Sequence, residues 1–154
     1  MNNQEALILL NMVTGLSSLK TKKLLDNFSQ PKEIFASSAT ALRQIGCLKE
    51  AMIQRIMDAS GKNDLKKEWS LIEKYKVKII SYLDKNYPSN LKEIFDPPVI
   101  LYVQGEIKPT DMLSLSIVGS RKASSYGLTT TEKLSYELSS LGITIVSGLA
   151  RGID

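Results

Sequence analysis

Apolar residues change their spacing near residue 76, and that change commits the chain to a helical front and a mixed α/β rear. Up to that point they recur every three or four residues: Ala6, Leu9, Leu10 and Val13; Leu24, Leu25 and Phe28; Met52, Ile53, Ile56 and Met57. This is the period of helix faces. Pro31 suits the first position of a short helix carrying Ile34 and Phe35. Ser37 or Ser38 can cap another that ends near Gly46. Asn63 or Asp64 can cap a polar helix reaching Tyr75, with Leu65, Trp69, Ile72 and Tyr75 turned inward. Beyond Val77 the apolar residues come as short continuous runs instead. Val77–Tyr82, Pro98–Val103, Met112–Val118 and Ile143–Val146 have strand composition, and a helix is expected from about Ser125 to Leu141 between the last two. Strands alternating with helices imply a layered α/β fold with a mostly parallel sheet, in which Pro98–Val103 reads as a buried parallel strand. Ser60-Gly61-Lys62-Asn63 reads as a hinge, dividing a helical domain, residues 1–62, from a second domain, residues 63–154.

Composition narrows the chemistry by what is missing. There is no histidine, and Cys47 is the sole cysteine. Neither a Ser-His-Asp nor a Cys-His nucleophile can be assembled, and no zinc site of His or several Cys exists. Cys47, between Gly46 and Leu48, reads as a small buried hydrophobe, and one unpaired cysteine fits a reducing compartment. A hydrophobic share of 43% with 23% charged residues describes a folded chain. The net charge of +4 is compatible with nucleic acid and equally with a solvated basic surface. The start, Met-Asn-Asn-Gln-Glu, has no basic leader, and no run approaches the ~20 apolar residues of a membrane span. The expectation is a cytoplasmic protein without membrane contact.

Candidate chemistry lies where Ser116-Ile117-Val118-Gly119-Ser120-Arg121 leads into Ser124-Ser125-Tyr126-Gly127. A strand ending at a glycine, followed by a helix, aims unpaired N–H groups and the positive end of the helix dipole at the turn, an anion site. Gly119 would let a ligand approach the backbone, Ser120 adds a hydroxyl, and Arg121 adds a fork matched to phosphate. Gly127 shares a helical face with Thr131, Leu134, Leu138 and Leu141, so it would let the helix press on the sheet. The pattern is not G-x-G-x-x-G, so no NAD or other cofactor is inferred. A structural turn with Arg121 in solvent is the competing reading. Ser147-Gly148-Leu149-Ala150-Arg151-Gly152-Ile153-Asp154 follows the next strand with a second arginine. Loops at the carboxyl ends of neighbouring parallel strands share one crevice, so Arg121 and Arg151 should face it together, with Asp154 offsetting part of their charge.

Ile-Val-Gly-Ser-Arg with Ser125-Tyr126-Gly127, then Ile-Val-Ser-Gly-Leu-Ala-Arg-Gly-Ile-Asp, resembles the signature of the DNA-processing protein A (DprA/Smf) family. Tyr87-Pro88-Ser89-Asn90-Leu91 and Asp96-Pro97-Pro98-Val99-Ile100-Leu101-Tyr102 resemble its lead-in. The likeness is strong over residues 80–154 and loose before them. It implies an extended Rossmann-like domain that binds single-stranded DNA in a basic pocket and helps load the recombinase RecA during natural transformation. The matching positions are Gly119, Ser120, Arg121, Ser147, Gly148, Arg151 and Gly152, and none is catalytic because no bond is made or broken. Family members continue beyond the Gly-Ile-Asp, with further strands and a homodimer surface. The expectation is therefore a truncated chain with an exposed edge and apolar face, of low solubility, binding DNA more weakly than a longer form.

Val13-Thr14-Gly15-Leu16-Ser17 with Lys20, Lys22 and Lys23 resembles a helix-hairpin-helix, whose glycine turn offers N–H groups to a DNA phosphate. Ser17 stands where that motif has its second glycine, and Ile45-Gly46-Cys47-Leu48 resembles a second, degenerate copy. Family members carry such a SAM-like front domain, either to touch DNA or to pack and dock partners. Two other functional readings stay open: a phosphoribohydrolase-type enzyme on a related scaffold, and a structural piece without activity of its own.

Overall fold

The computed structural model describes residues 1–59 and 64–154, so the hinge expected at 60–63 lies outside the described residues. The chain forms two compact units, Met1–Gly105 and Glu106–Asp154. This division falls well after the boundary at residues 62 and 63 expected from sequence.

In the first unit, α1 (Asn3–Met12) opens with a capping box. The Asn2 side chain accepts from the Glu5 N–H at 2.8 Å, and Glu5 accepts from the Asn2 N–H at 2.7 Å. Then come α2 (Ser18–Asn27), α3 (Pro31–Ala36), α4 (Ala39–Gln44), α5 (Glu50–Ala59) and α6 (Asp64–Lys74). Pro31 does stand at the start of α3, and Ser38 caps α4 by accepting from Ala41. Residues Ala6 to Leu10 of α1 are all buried, not only the single face expected. A helix that is apolar all round needs partners all round. Leu10 and Val13 pack with Leu24, Ile34, Leu42, Met52, Ile53 and Ile56, whereas Leu7 and Ile8 pack with Ile72, Val99 and Ile100. That second cluster draws α6 and the first strands onto the helices, which is why this unit extends to Gly105. Tyr75, expected inside, is exposed beneath Lys74, whose Nζ lies 5.3 Å from its ring centroid. Cys47 is half-buried and free.

Strands β1 (Lys78–Ser81) and β2 (Ile100–Val103) pair antiparallel, with Lys78 opposite Val103 and Ser81 opposite Ile100. The expected parallel strand is thus corrected, and the expected single sheet with it: among the described residues the four strands form two separate pairs. Between β1 and β2 there is only the one-turn helix α7 (Ser89–Lys92), with no crossover to carry the chain back to the other end. Instead the chain turns at once. The Asp84 carboxylate accepts from the Ser81 N–H at 2.7 Å, and Tyr82 N–H already bonds Val99 O at 2.9 Å.

The second unit is a strand–helix–strand. A short 3-10 helix, Pro109–Met112, takes up the start of the expected third run, and β3 is only Ser114–Ser116. Helix α8 (Ser125–Ser140) follows, then β4 (Thr144–Val146), parallel to β3 with Leu115 opposite Ile145. Helix α8 ends in a Schellman motif: Ile143 N–H reaches Leu138 O and Gly142 N–H reaches Ser139 O, with Gly142 at φ +81°. No described residue of this unit is fully buried. The half-buried positions of α8 are Gly127, Thr131, Ser135 and Leu138, while Leu134 and Leu141 face outward. Two three-residue strands cover only a narrow stripe of a sixteen-residue helix. Among the described residues no helix is long and apolar enough to cross a membrane.

Candidate nucleic-acid interface

Because β3 and β4 are parallel neighbours, their carboxyl ends lie on one edge, and the loops beginning at Gly119 and Ser147 leave from it together. The ladder continues to this edge through Ile117 N–H to Val146 O at 2.9 Å. The two loops interlock. Ile153 N–H donates to Ser120 O at 3.2 Å, and Gly119 N–H donates to Asp154 Oδ1 at 3.1 Å.

Three of the signature glycines serve this interlock. A Cβ on Gly152 would stand 2.1 Å from Ser120 O and 2.8 Å from Arg121 Cα, and its φ of +100° already disfavours any side chain. A Cβ on Gly119 would stand 2.7 Å from the Ile153 Cβ. One on Gly148 would stand 3.0 Å from Asp154 Oδ2. The sequence reading of Gly119, as room for a ligand, is therefore corrected: its space is filled by Ile153 of the same chain, and its amide is taken by Asp154. A Cβ on Gly127 would meet Ile153 Cδ1 at 3.4 Å, an ordinary contact, so this half-buried glycine packs against Ile153 without being required by it.

Helix α8 begins at Ser125, where the sequence predicts it, and the Ser124 hydroxyl accepts the Gly127 N–H at 3.1 Å, so one first-turn amide is satisfied internally. The Ser120 hydroxyl accepts from the Lys122 N–H at 3.1 Å and keeps its own proton to donate. Ser147 likewise accepts from the Leu149 N–H at 3.2 Å, which holds Leu149 at φ +54° and 92% exposed. Arg121 and Arg151 are both exposed, and neither is paired with a carboxylate among the described residues. Arg151 adjoins Gly152, whose backbone crosses that of Ser120 and Arg121, so the two arginines leave from contacting segments. Lys122, exposed beside Arg121, adds a third cation that sequence reasoning passed over. Ile153 was also missed. The surplus of glycines over what two turns require was its only trace.

In the first unit, the Gly15 turn joins α1 to α2 at φ +83°, with Ser17 capping α2 by accepting from Lys20 N–H at 3.4 Å. It is backed by α5: Arg55 Nη1 donates to Thr14 O at 2.8 Å, and a Cβ on Gly15 would meet Met52 Cε at 3.4 Å. The Gly46 turn joins α4 to α5 at φ +73° and is bridged by Arg43 and Glu50 at 2.6 Å. That pair of hydrogen bonds holds the Glu50 carboxyl below its usual range and the Arg43 guanidinium above it. Of the three lysines, Lys22 is engaged, its Nζ 4.5 Å from the Tyr82 ring centroid, where Lys92 also rests at 5.4 Å. Lys20 and Lys23 lie on the same helix, α2, without a carboxylate partner among the described residues. Among the described residues no group of His, Cys, Asp and Glu could hold a metal ion.

Comparison with known proteins places this geometry in a group. Residues 78–154 match the family described as DNA recombination-mediator protein A. Protein Smf of Borreliella burgdorferi is 38% identical over 84 residues, 54% of this chain and 27% of that protein. Protein Smf of Synechocystis is 30% identical over 151 residues, 94% of this chain and 37% of that protein. The crystal structure of DNA processing protein A from Streptococcus pneumoniae superposes with a TM-score of 0.72 at 30% identity, covering all of this chain and 52% of that one. The chain thus spans well under half the length of these two Smf proteins and about half of the solved structure.

Proposed function

The chain belongs to the DNA recombination-mediator protein A family, and from that premise we propose that its Glu106–Asp154 unit is a non-catalytic binder of single-stranded DNA. The observation that carries this reading is the pair of exposed guanidiniums, Arg121 and Arg151, without carboxylate partners among the described residues, on two loops that lock together. Unpaired cations carried on two loops that contact each other suit a polyanion that runs from one to the other. Gly119, Gly148 and Gly152 build the edge, and Ser120 and Ser147 brace its turns while Ser120 keeps a hydroxyl proton for a phosphate oxygen. Affinity comes chiefly from phosphate neutralisation, so it falls steeply with salt.

In this reading residues 63–154 are the first part of a Rossmann-like domain, supported by the parallel β3–α8–β4 unit. Residues 1–62 are a SAM-like domain of two helix hairpins turning at Gly15 and Gly46, each glycine at positive φ. Loading of a RecA-type recombinase and homodimerisation belong to the same proposal. Fluorescence anisotropy with a labelled oligothymidylate tests the binding. The native chain should bind, and Arg121→Ala should weaken it roughly tenfold, the loss of one charge-assisted hydrogen bond. Hydrolysis of nucleoside monophosphates, abolished by the same substitution, would instead establish an enzyme and overturn the reading.

A further inference from the structure

One carboxylate touches both loops of the candidate interface. Asp154 Oδ1 accepts from the Gly119 N–H at 3.1 Å, and its Oδ2 stands 3.0 Å from the place a Gly148 Cβ would take. Its neighbour Ile153 donates to Ser120 O at 3.2 Å and fills the space over Gly119 and Gly127. Residues 152–154 therefore form a strap laid across the turn that ends in Arg121. Asp154 is half-buried and makes no ion pair among the described residues, so its charge is not used on either arginine. What it supplies is an acceptor for a backbone amide two residues before Arg121. A negative charge this close to a phosphate site acts against binding by electrostatics alone. The geometry points to an opposite net effect.

We propose that Asp154 is a positioning residue: by holding the Gly119 amide it fixes the Gly119–Arg121 turn, so that Arg121 meets a nucleic-acid phosphate already oriented. This rests on the single-stranded DNA reading above. Fixing a cation before the ligand arrives removes an ordering cost from binding, and a side-chain oxygen that accepts from a backbone N–H fixes a turn.

The two roles of the carboxylate, acceptor and charge, are separated by Asp154→Asn and Asp154→Ala. Asparagine keeps an oxygen for Gly119 and drops the charge, and alanine drops both. Positioning predicts that Asp154→Asn binds the oligonucleotide within about twofold of the native chain, whereas Asp154→Ala binds roughly fivefold to tenfold more weakly. The dependence on salt should stay native in both, since no phosphate contact is removed. Hydrogen exchange at the Gly119 amide, measured without DNA, should be slow in the native chain and in Asp154→Asn, and fast in Asp154→Ala. Equal or tighter binding by Asp154→Ala overturns the proposal, because the carboxylate then acts only as a repelling charge. Asparagine as weak as alanine overturns it too. If no form binds DNA, the functional reading fails, and the exchange rates still decide whether Asp154 fixes the turn.

Discussion

The two units hold themselves together by different means. Met1–Gly105 has an apolar interior, with Ile8, Leu10, Leu24, Ile34, Leu42, Ile53 and Ile56 fully buried. Glu106–Asp154 has no buried residue among those described, and exposes Leu113, Leu134 and Leu141. Its order comes from backbone: a short parallel ladder, a capped helix and the strap over Ser120. The first unit is stabilised by burial, which tolerates polar change at its surface. The second depends on glycines and hydrogen bonds, which tolerate little change at particular positions. The region that carries the candidate site is thus the one with the least hydrophobic support.

The sharpest way to break that contrast is to truncate leucines in each unit. Leu10→Ala should cost about 2–5 kcal/mol, since the side chain is fully buried in the helical core. Leu134→Ala, at a position 46% exposed, should stay within about 0.5 kcal/mol. Urea denaturation followed by circular dichroism reads both, and equal losses would erase the distinction.

A glycine in the strap should behave in the reverse sense. Gly152→Ala puts a Cβ against Ser120 O at a φ of +100°, so the loop must open, at a cost of about 1–3 kcal/mol. Faster hydrogen exchange at the amides of Ile117 and Ile153, with the helical core unchanged, is the expected result. Loss of protection throughout Met1–Gly105 would show that the units do not respond separately.

A titration sharpens the picture of the first unit. Burial, and then the neighbouring Glu68, push the Tyr102 phenol up to about 12 from its usual 10.0. A group raised on folding favours the folded state below its unfolded value, and that contribution disappears as pH rises from about 10 to about 12. Phenolate absorbance should show a late-ionising tyrosine that Tyr102→Phe removes, with stability less sensitive to alkaline pH in the variant. A smaller effect is expected from Lys22→Ala. Its ammonium lies over the Tyr82 ring, so the loss should be about 0.5–1 kcal/mol of stability, with DNA affinity within about twofold. A large loss of duplex binding would instead move a DNA contact into the helical unit.

What the sequence revealed divides along the same line. Helices were legible because their caps and apolar periods are local: Pro31, Ser38 and the Met52–Ile56 face all stand where the spacing put them. The strand segments were legible as segments, and the strand–helix–strand order predicted the parallel β3–β4 pair. The antiparallel pairing of β1 with β2 was not, because an apolar run such as Val99-Ile100-Leu101 reads alike in either direction. The burial of Leu7 and Ile8 depended on α6 and β2, which no local pattern announces. At the site, Gly119 and Arg121 stood out from the pattern alone, but the reason for the glycine did not. Ile153 lies 34 positions away along the chain and meets it only after the loops have folded.

The central claim is that Arg121 and Arg151 act together on one nucleic-acid strand, and the salt dependence of binding tests it most directly. Each phosphate contact to a single strand contributes about 0.7 to the slope of log affinity against log salt. The account predicts that Arg121→Ala and Arg151→Ala each flatten the slope by about 0.7, and the double variant by about 1.4. A slope unchanged by either substitution, with affinity intact, would contradict it.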